Sequence, residues 1–331
     1  MSPAAVLAVD GGNSKADVLL ASAAGVVLGF RRGGTISHQQ VGLEAGMARL
    51  TELALGLDRA AGGDGRLPIA DVGSYCLAGA DFPAEVRHLE RGIRATGLTG
   101  RAFVRNDTFG ALRAGASRPW GVVLVCGHGI NAAAIGRDGR RARFDAIGEY
   151  SGDWGGGHDV AAATLAAAVR ADDGRGPRTA LEERVARHFG RRSIPTVVRD
   201  LYYERADHET FDRMAPLTFE TAADGDPVAR SIVDRLADEL VAMATALIRR
   251  TRLGRSQPEV VLAGGVFRTG EPGFYERLAG GIRRVAPGAT LVRLEHPPVL
   301  GAALMGLEEL GLDEVRLARA EARLRSDLRG R

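Results

Sequence analysis

The chain has 331 residues, 44 Lys and Arg against 41 Asp and Glu, a formal charge of +3, and is 45% hydrophobic and 26% charged. So even a charge balance excludes a nucleic-acid binder working by bulk charge, and the apolar share excludes a chain disordered throughout. The length favours two domains, while 45 glycines beside only 5% aromatic residues favour sites shaped by backbone over aromatic stacking platforms.

In chain order, apolar runs over 4–9, 16–21 and 25–30 predict three consecutive strands, the first ending in Asp10-Gly11-Gly12. Leu43, Met47, Leu50, Leu53, Ala54 and Leu57 recur near the helical period and predict one helix over 41–61. A strand over 69–77, a helix from Pro83 to about residue 95, a short strand over 102–104 and a helix over 109–114, capped by Asp107-Thr108, complete a β-β-β-α-β-α-β-α half. The second half begins the same way: residues 6–25 align without gaps on 122–141, which predicts an internal duplication. Helices over 160–171, 181–189, 209–223 and 227–251 follow, then a strand over 259–263, a helix over 274–285, a strand over 289–294 and a helix over 299–310. The tail, 314–331, alternates Glu314, Arg316, Arg319, Glu321, Arg323, Arg325, Asp327 and Arg329, the pattern of a solvated helix.

Cys76 and Cys126 sit in apolar stretches without the paired spacing of a disulfide framework or a zinc site, which suits a reducing cytoplasm. No run approaches the ~20 apolar residues of a membrane span, and no export signal is recognisable.

The chemistry concentrates where apolar strands run into glycine. In Asp10-Gly11-Gly12-Asn13-Ser14-Lys15, glycines admit an anion to the backbone, amides and the Ser14 hydroxyl can donate to phosphate, and Lys15, the one lysine of the chain, adds a cation. It is not a Walker loop, since the element that follows reads as a strand. Asp10 at the strand end can hold Mg²⁺ directly or through water, or simply accept from turn amides. Cys126-Gly127-His128-Gly129-Ile130-Asn131 is the equivalent turn of the second half, and Gly264-Gly265 ends a third apolar strand, where a flat ring could lie against backbone.

These three turns, in this order and with the duplicated start, resemble the sugar kinase, heat-shock 70 and actin superfamily, and most closely the N-acetylglucosamine kinase and BadF/BadG/BcrA/BcrD ATPase family. The resemblance runs from Leu7 through the segment Gly301 to Leu307. It implies an α/β fold of two ribonuclease H-like (actin-like ATPase) lobes flanking a nucleotide cleft, residues 1–115 with the C-terminal helix 297–331 forming one lobe and 116–296 the other. It also implies ATP and Mg²⁺ as cofactors, with phosphates bound by Gly11, Gly12, Asn13, Ser14, Lys15, Gly127, Gly129 and Asn131 and adenosine at Gly264 and Gly265. Asn106-Asp107-Thr108-Phe109-Gly110-Ala111 matches the family's N-D-x-x-x-A element. Asp107 is thereby expected to accept the proton of the attacking sugar hydroxyl, with Asn106 orienting the acceptor or the aspartate.

Residues 147–159 resemble the family's G-D-E-G-S segment, with Asp153 in place of the sugar-binding aspartate and Asp159 as a candidate N-cap. Ser37 and His38 lie where the family has an S-N-H stretch that touches the sugar, Ser37 standing in for the usual asparagine. His128 and Ile130 replace the Thr and Ser of G-T-G-S, which leaves phosphate binding there to backbone amides. The resemblance points to a kinase for the 6-hydroxyl of an amino sugar, N-acetylglucosamine or glucosamine, and allows a homodimer, since family members are often dimers; the charge balance and the lack of an apolar span predict no nucleic-acid or membrane partner. A BadF-type ATPase activating a partner reductase would need cysteines at an interface. A sugar-sensing regulator would need a helix-turn-helix for which the front of the sequence leaves no room.

Overall fold

The computed structural model describes residues 4–329, with His208 described by its backbone alone. The chain divides into two compact units, Met1–Gly121 with Leu294–Arg331, and Val122–Arg293. Residues 1–3 and 330–331, included in the expected lobe and tail boundaries, lie outside the described residues.

In the first unit β1 (Val6–Gly11), β2 (Lys15–Ala21) and β3 (Val27–Gly34) form an antiparallel meander. Helices α1 (His38–Val41) and α2 (Leu43–Ala60), β4 (Ala70–Leu77), α3 (Pro83–Thr96), β5 (Thr99–Asn106) and α4 (Asp107–Gly115) follow. β4 runs parallel to β1 and β5 parallel to β4, in the order β3-β2-β1-β4-β5. Successive strand residues face opposite sides of a sheet. Leu7 and Val9 accordingly join a core with Met47, Leu50, Leu89 and Ile93 of α2 and α3. Val6 and Ala8 enter a second core made with the C-terminal helices. Cover on both faces is why β1 reads as an unbroken apolar run and not as an alternation.

The second unit repeats this plan. β6 (Gly121–Cys126), β7 (Ile130–Ile135) and β8 (Arg141–Arg143) open it. A 3-10 turn (Gly148–Ser151) leads to α5 (Gly157–Asp172), α6 (Leu181–His188), α7 (Ile194–Tyr202), α8 (His208–Asp212), α9 (Ala215–Ala223) and α10 (Pro227–Arg250). β9 (Glu259–Ala263), a 3-10 turn (Gly265–Arg268), α11 (Pro272–Arg283) and β10 (Thr290–Arg293) close it. The sheet order β10-β9-β6-β7-β8, read from β8, is that of the first unit, and β6, β9 and β10 are parallel. The stretches that align in sequence therefore hold the same places in two sheets.

α12 (Val299–Glu308) and α13 (Glu314–Asp327) return to the first unit. α12 packs so closely on α4 that a side chain at Gly301 would lie 1.9 Å from the Gly110 carbonyl. The tail is more than a solvated helix. Ala320, Leu324 and Leu328 are buried, Glu321 and Glu308 hold the buried Arg113, and Arg325 donates to the carbonyls of Ala114 and Ala116, each at 2.8 Å. Those bonds satisfy carbonyls at the end of α4.

Several expected boundaries move, each for a local reason. The helix expected over 41–61 starts after Gly42, whose φ of 81° separates it from the short α1. β5 extends to Thr99 because pairing with β4 supplies what Thr-Gly-Arg does not signal. The helix over 209–223 is interrupted at Arg213 and Met214, and Pro216 sits in the first turn of α9, where no N–H is required. α7 is absent from the sequence reading, since Pro195, Thr196, Val197 and Val198 carry little helical signal, yet Pro195 stands in its first turn, where proline is tolerated.

Candidate functional site

In the first unit the candidate residues gather at the carboxyl ends of β1, β4 and β5. Asp10 is half-buried near the end of β1 and pairs with Cys76 of β4 and Asp17 of β2. Burial, and next the carboxylates of Asp107 and Asp17, push the Asp10 carboxyl up from 3.8 to about 8, against the opposing pull of Lys15 and Arg32. Asp17 itself is buried in a two-pronged pair with Arg32, at 2.6 and 2.8 Å. Gly12 donates to the Lys15 carbonyl at 2.9 Å, so Asn13 and Ser14 form a two-residue hairpin turn, exposed with Lys15 beside it. Gly11 answers to packing: a Cβ there would meet Leu77 at 2.6 Å. Only Gly12, Asn13, Ser14 and Lys15 keep surface toward an anion.

Asn106 is the N-cap of α4, its Oδ1 accepting from the Thr108 amide at 3.2 Å and hydroxyl at 2.6 Å. Neither Asp107 nor Thr108 is the cap, which corrects the sequence expectation; Asp107 is the first residue of the helix, near enough to Asp10 to raise its pKa. Asn106 also donates to Asp81 at 2.9 Å. Asp81, which sequence reasoning missed, stands in the strand-to-helix loop after β4, where Gly79 was the only signal. That loop also carries the contact with His38, whose ring lies 2.7 Å from where a Gly79 Cβ would be. Ser37 Oγ and His38 Nδ1 are buried without a hydrogen-bond partner among the described residues. Buried polar atoms normally find partners, so these two suit a polar ligand. The Cys76 thiol beneath is raised well above its usual range by burial and by Asp10 and Asp107, and Cys126 is pushed up to about 12 by burial. Both thiols are buried.

The second unit gathers its own set. Gly127 donates to Gly129 at 2.9 Å, and neither glycine has an atom within 4 Å of a would-be Cβ, so this turn lies open. Asn131 is turned back on the amide of Ala132 at 2.7 Å. Ile130, in place of a hydroxyl residue, is buried against Gly155. Gly264, with φ +109°, presses on the Cys126 carbonyl, where a side chain would sit at 2.3 Å, and so brings the third turn against the second. Asp153 accepts from Ser151 in the loop before α5. The N-cap of α5 is Gly156 with φ 90°, not Asp159, whose carboxylate instead reaches back to the Gly155 amide at 2.7 Å. A cavity of about 870 Å³ is walled by Gly127, His128, Gly265, Val266, Asp212 and Phe219, among others, a volume suited to a drug-sized ligand.

An N-acetyl-D-glucosamine kinase of Dictyostelium discoideum is 24% identical over 318 residues, 93% of this chain and 99% of that protein. An N-acetylmuramic acid/N-acetylglucosamine kinase of Clostridium acetobutylicum is 23% identical over 243 residues, 73% and 79% of the two chains. The crystal structure of a Chromobacterium violaceum protein provisionally assigned as an N-acetylglucosamine kinase matches with a TM-score of 0.68 at 20% identity, covering 92% of this chain and all of that one. Both sheets thus have the arrangement of the actin-like ATPase fold of sugar kinases. No helix among the described residues is long and apolar enough to cross a membrane. Matched over residues 7–306, the chain belongs to the BadF/BadG/BcrA/BcrD ATPase family.

Proposed function

We propose that the protein is an ATP-dependent kinase that phosphorylates the 6-hydroxyl of an amino sugar, N-acetylglucosamine in the first instance. The observation that carries this reading is Asp107: it starts α4 without serving as its cap, because Asn106 does so, and it stands beside Asp10. A carboxylate fixed by its helix, with the capping work done by a neighbour, suits a base for a sugar hydroxyl. The names of the two kinase relatives point the same way.

In this reading the cavity of the second unit takes the adenosine and the amides of its Gly127 turn take phosphate oxygens; in the first unit the Asn13 turn, with Lys15 as a point charge, is suited to phosphate in the same way. In the first unit Ser37, His38 and Asn106 contact the sugar, the first two through their buried orphan atoms. Asp10 would hold Mg²⁺, directly or through water, since a divalent cation relieves the repulsion that the Asp107 and Asp17 carboxylates exert on it. Bound there, Mg²⁺ would neutralise phosphate charge. Both cysteines are buried and their thiols pushed up by that burial, which disfavours the partner-activating ATPase reading, whose cluster needs cysteines at an interface.

A panel of sugars tested for ATP-dependent phosphorylation, with N-acetylglucosamine, glucosamine and N-acetylmuramic acid side by side, decides the matter. The expected result is acceptor-dependent ADP release with an N-acetylated sugar. ADP release that no sugar stimulates would overturn the reading.

A further inference from the structure

Three elements of the second unit bring two imidazoles and a carboxylate together beside the cavity. His128 stands on the turn after β6, His158 is the second residue of α5, and Asp212 ends α8. Asp212 divides its oxygens between the rings: Oδ1 lies 2.9 Å from His158 Nδ1 and Oδ2 lies 3.7 Å from His128 Nδ1. The two imidazoles are 5.1 Å apart, and one ligand atom from each of the three residues lies within 4.8 Å of the others. The backbones beneath are clamped, since Gly157 donates to Gly127 at 2.7 Å and His158 donates to His128 at 3.0 Å. Phe211 backs His158 at 5.5 Å.

We propose that His128, His158 and Asp212 form a binding site for a transition-metal dication of the zinc class. Two imidazole nitrogens and one carboxylate favour zinc, cobalt, nickel or copper over magnesium or calcium, which prefer oxygen throughout. Bonds of about 2 Å require the ligand atoms to draw closer, and the side chains are exposed enough to rotate while their backbones stay fixed. Three protein ligands leave a coordination position open, as in sites where an ion meets a further ligand. His128 and Asp212 also line the cavity, so an oxyanion held there could fill that position. This nitrogen-rich site is separate from the oxygen set at Asp10, and its existence does not depend on the sugar reaction.

The test is titration of the chelator-treated full chain with CoCl₂, read by visible absorption, and with ZnCl₂, read by calorimetry. One ion should bind per chain. H128A, H158A and D212N should each weaken it at least about tenfold, whereas H88A, which alters a histidine of the first unit, should not. Melting curves check that each variant is folded, and H158Q replaces H158A if the latter is not. Absence of binding by the wild-type chain, or binding unchanged in the folded H128A/H158A double variant, would overturn the assignment. Since no turnover is measured, a failure here is distinct from a failure of the kinase reading.

Discussion

Asp10→Asn should stabilise the protein in a pH-dependent way while abolishing its turnover. Well below pH 3.8 the wild-type carboxyl is neutral in both the folded and the unfolded chain, so it contributes no pH dependence there. As pH rises, the unfolded chain ionises Asp10 first, whereas burial with Asp107 and Asp17 keeps the folded group protonated up to about 8. The raised folded pKa therefore gives stability that is fully present below 3.8 and lost as pH rises to about 8. At ~1.4 kcal/mol for each pH unit, the loss has a ceiling of roughly 4 kcal/mol at pH 7, and the remaining solvent contact of the carboxyl brings it to about 1–3 kcal/mol. Asparagine keeps the shape without the titration. Urea denaturation of both proteins in EDTA at pH 5, 7 and 8.5 should give a gap in favour of the variant that widens with pH and levels off above 8. A gap independent of pH, or a variant less stable at pH 8.5, would refute the placement of Asp10 among buried like charges.

Asp107→Asn should fold and bind nucleotide but lose about 10²–10⁴ in kcat, because the cap on Asn106 survives and only the proton acceptor is lost; equilibrium nucleotide binding beside the kinetics checks both halves. Asp153→Ala should raise the KM for the sugar far more than that for ATP, as measured by varying each substrate in turn. Lys15→Arg should raise the KM for ATP by roughly several-fold, since a planar guanidinium replaces a compact ammonium on an exposed turn; unchanged kinetics would make the sole lysine an accident of composition. Gly301→Ala would put a Cβ 1.9 Å from Gly110 O and 2.7 Å from Ala114 N. Overpacking two backbones should cost about 1–3 kcal/mol in thermal unfolding, and kcat should fall with it as α4 carries Asp107 aside.

Much of the candidate site was legible because strand ends announce themselves: an apolar run that stops at glycine marks Asp10, Gly127 and Gly264 without knowledge of any neighbour. Asp81 and Asp212 were not legible. Each is an ordinary aspartate in a loop or a short helix, and only its approach to Asn106 or to two histidines gives it meaning. His158 stood within a segment singled out by its glycines, but no local signal tells a ligand from a surface histidine.

By itself the sequence determined the two repeated β-β-β starts, the order of the glycine turns and the Asn106-Asp107 junction, because hydrophobic period and turn chemistry act over a few residues. The tertiary structure alone decided that Asn106 caps α4, that Gly11 and Gly301 are glycine for packing, that the arginine-rich tail closes the end of α4, and that burial beside Asp107 and Asp17 pushes the Asp10 carboxyl up. Each of these depends on contact between residues far apart in the chain and on the low-dielectric surroundings that such contact creates, neither of which spacing along a sequence records.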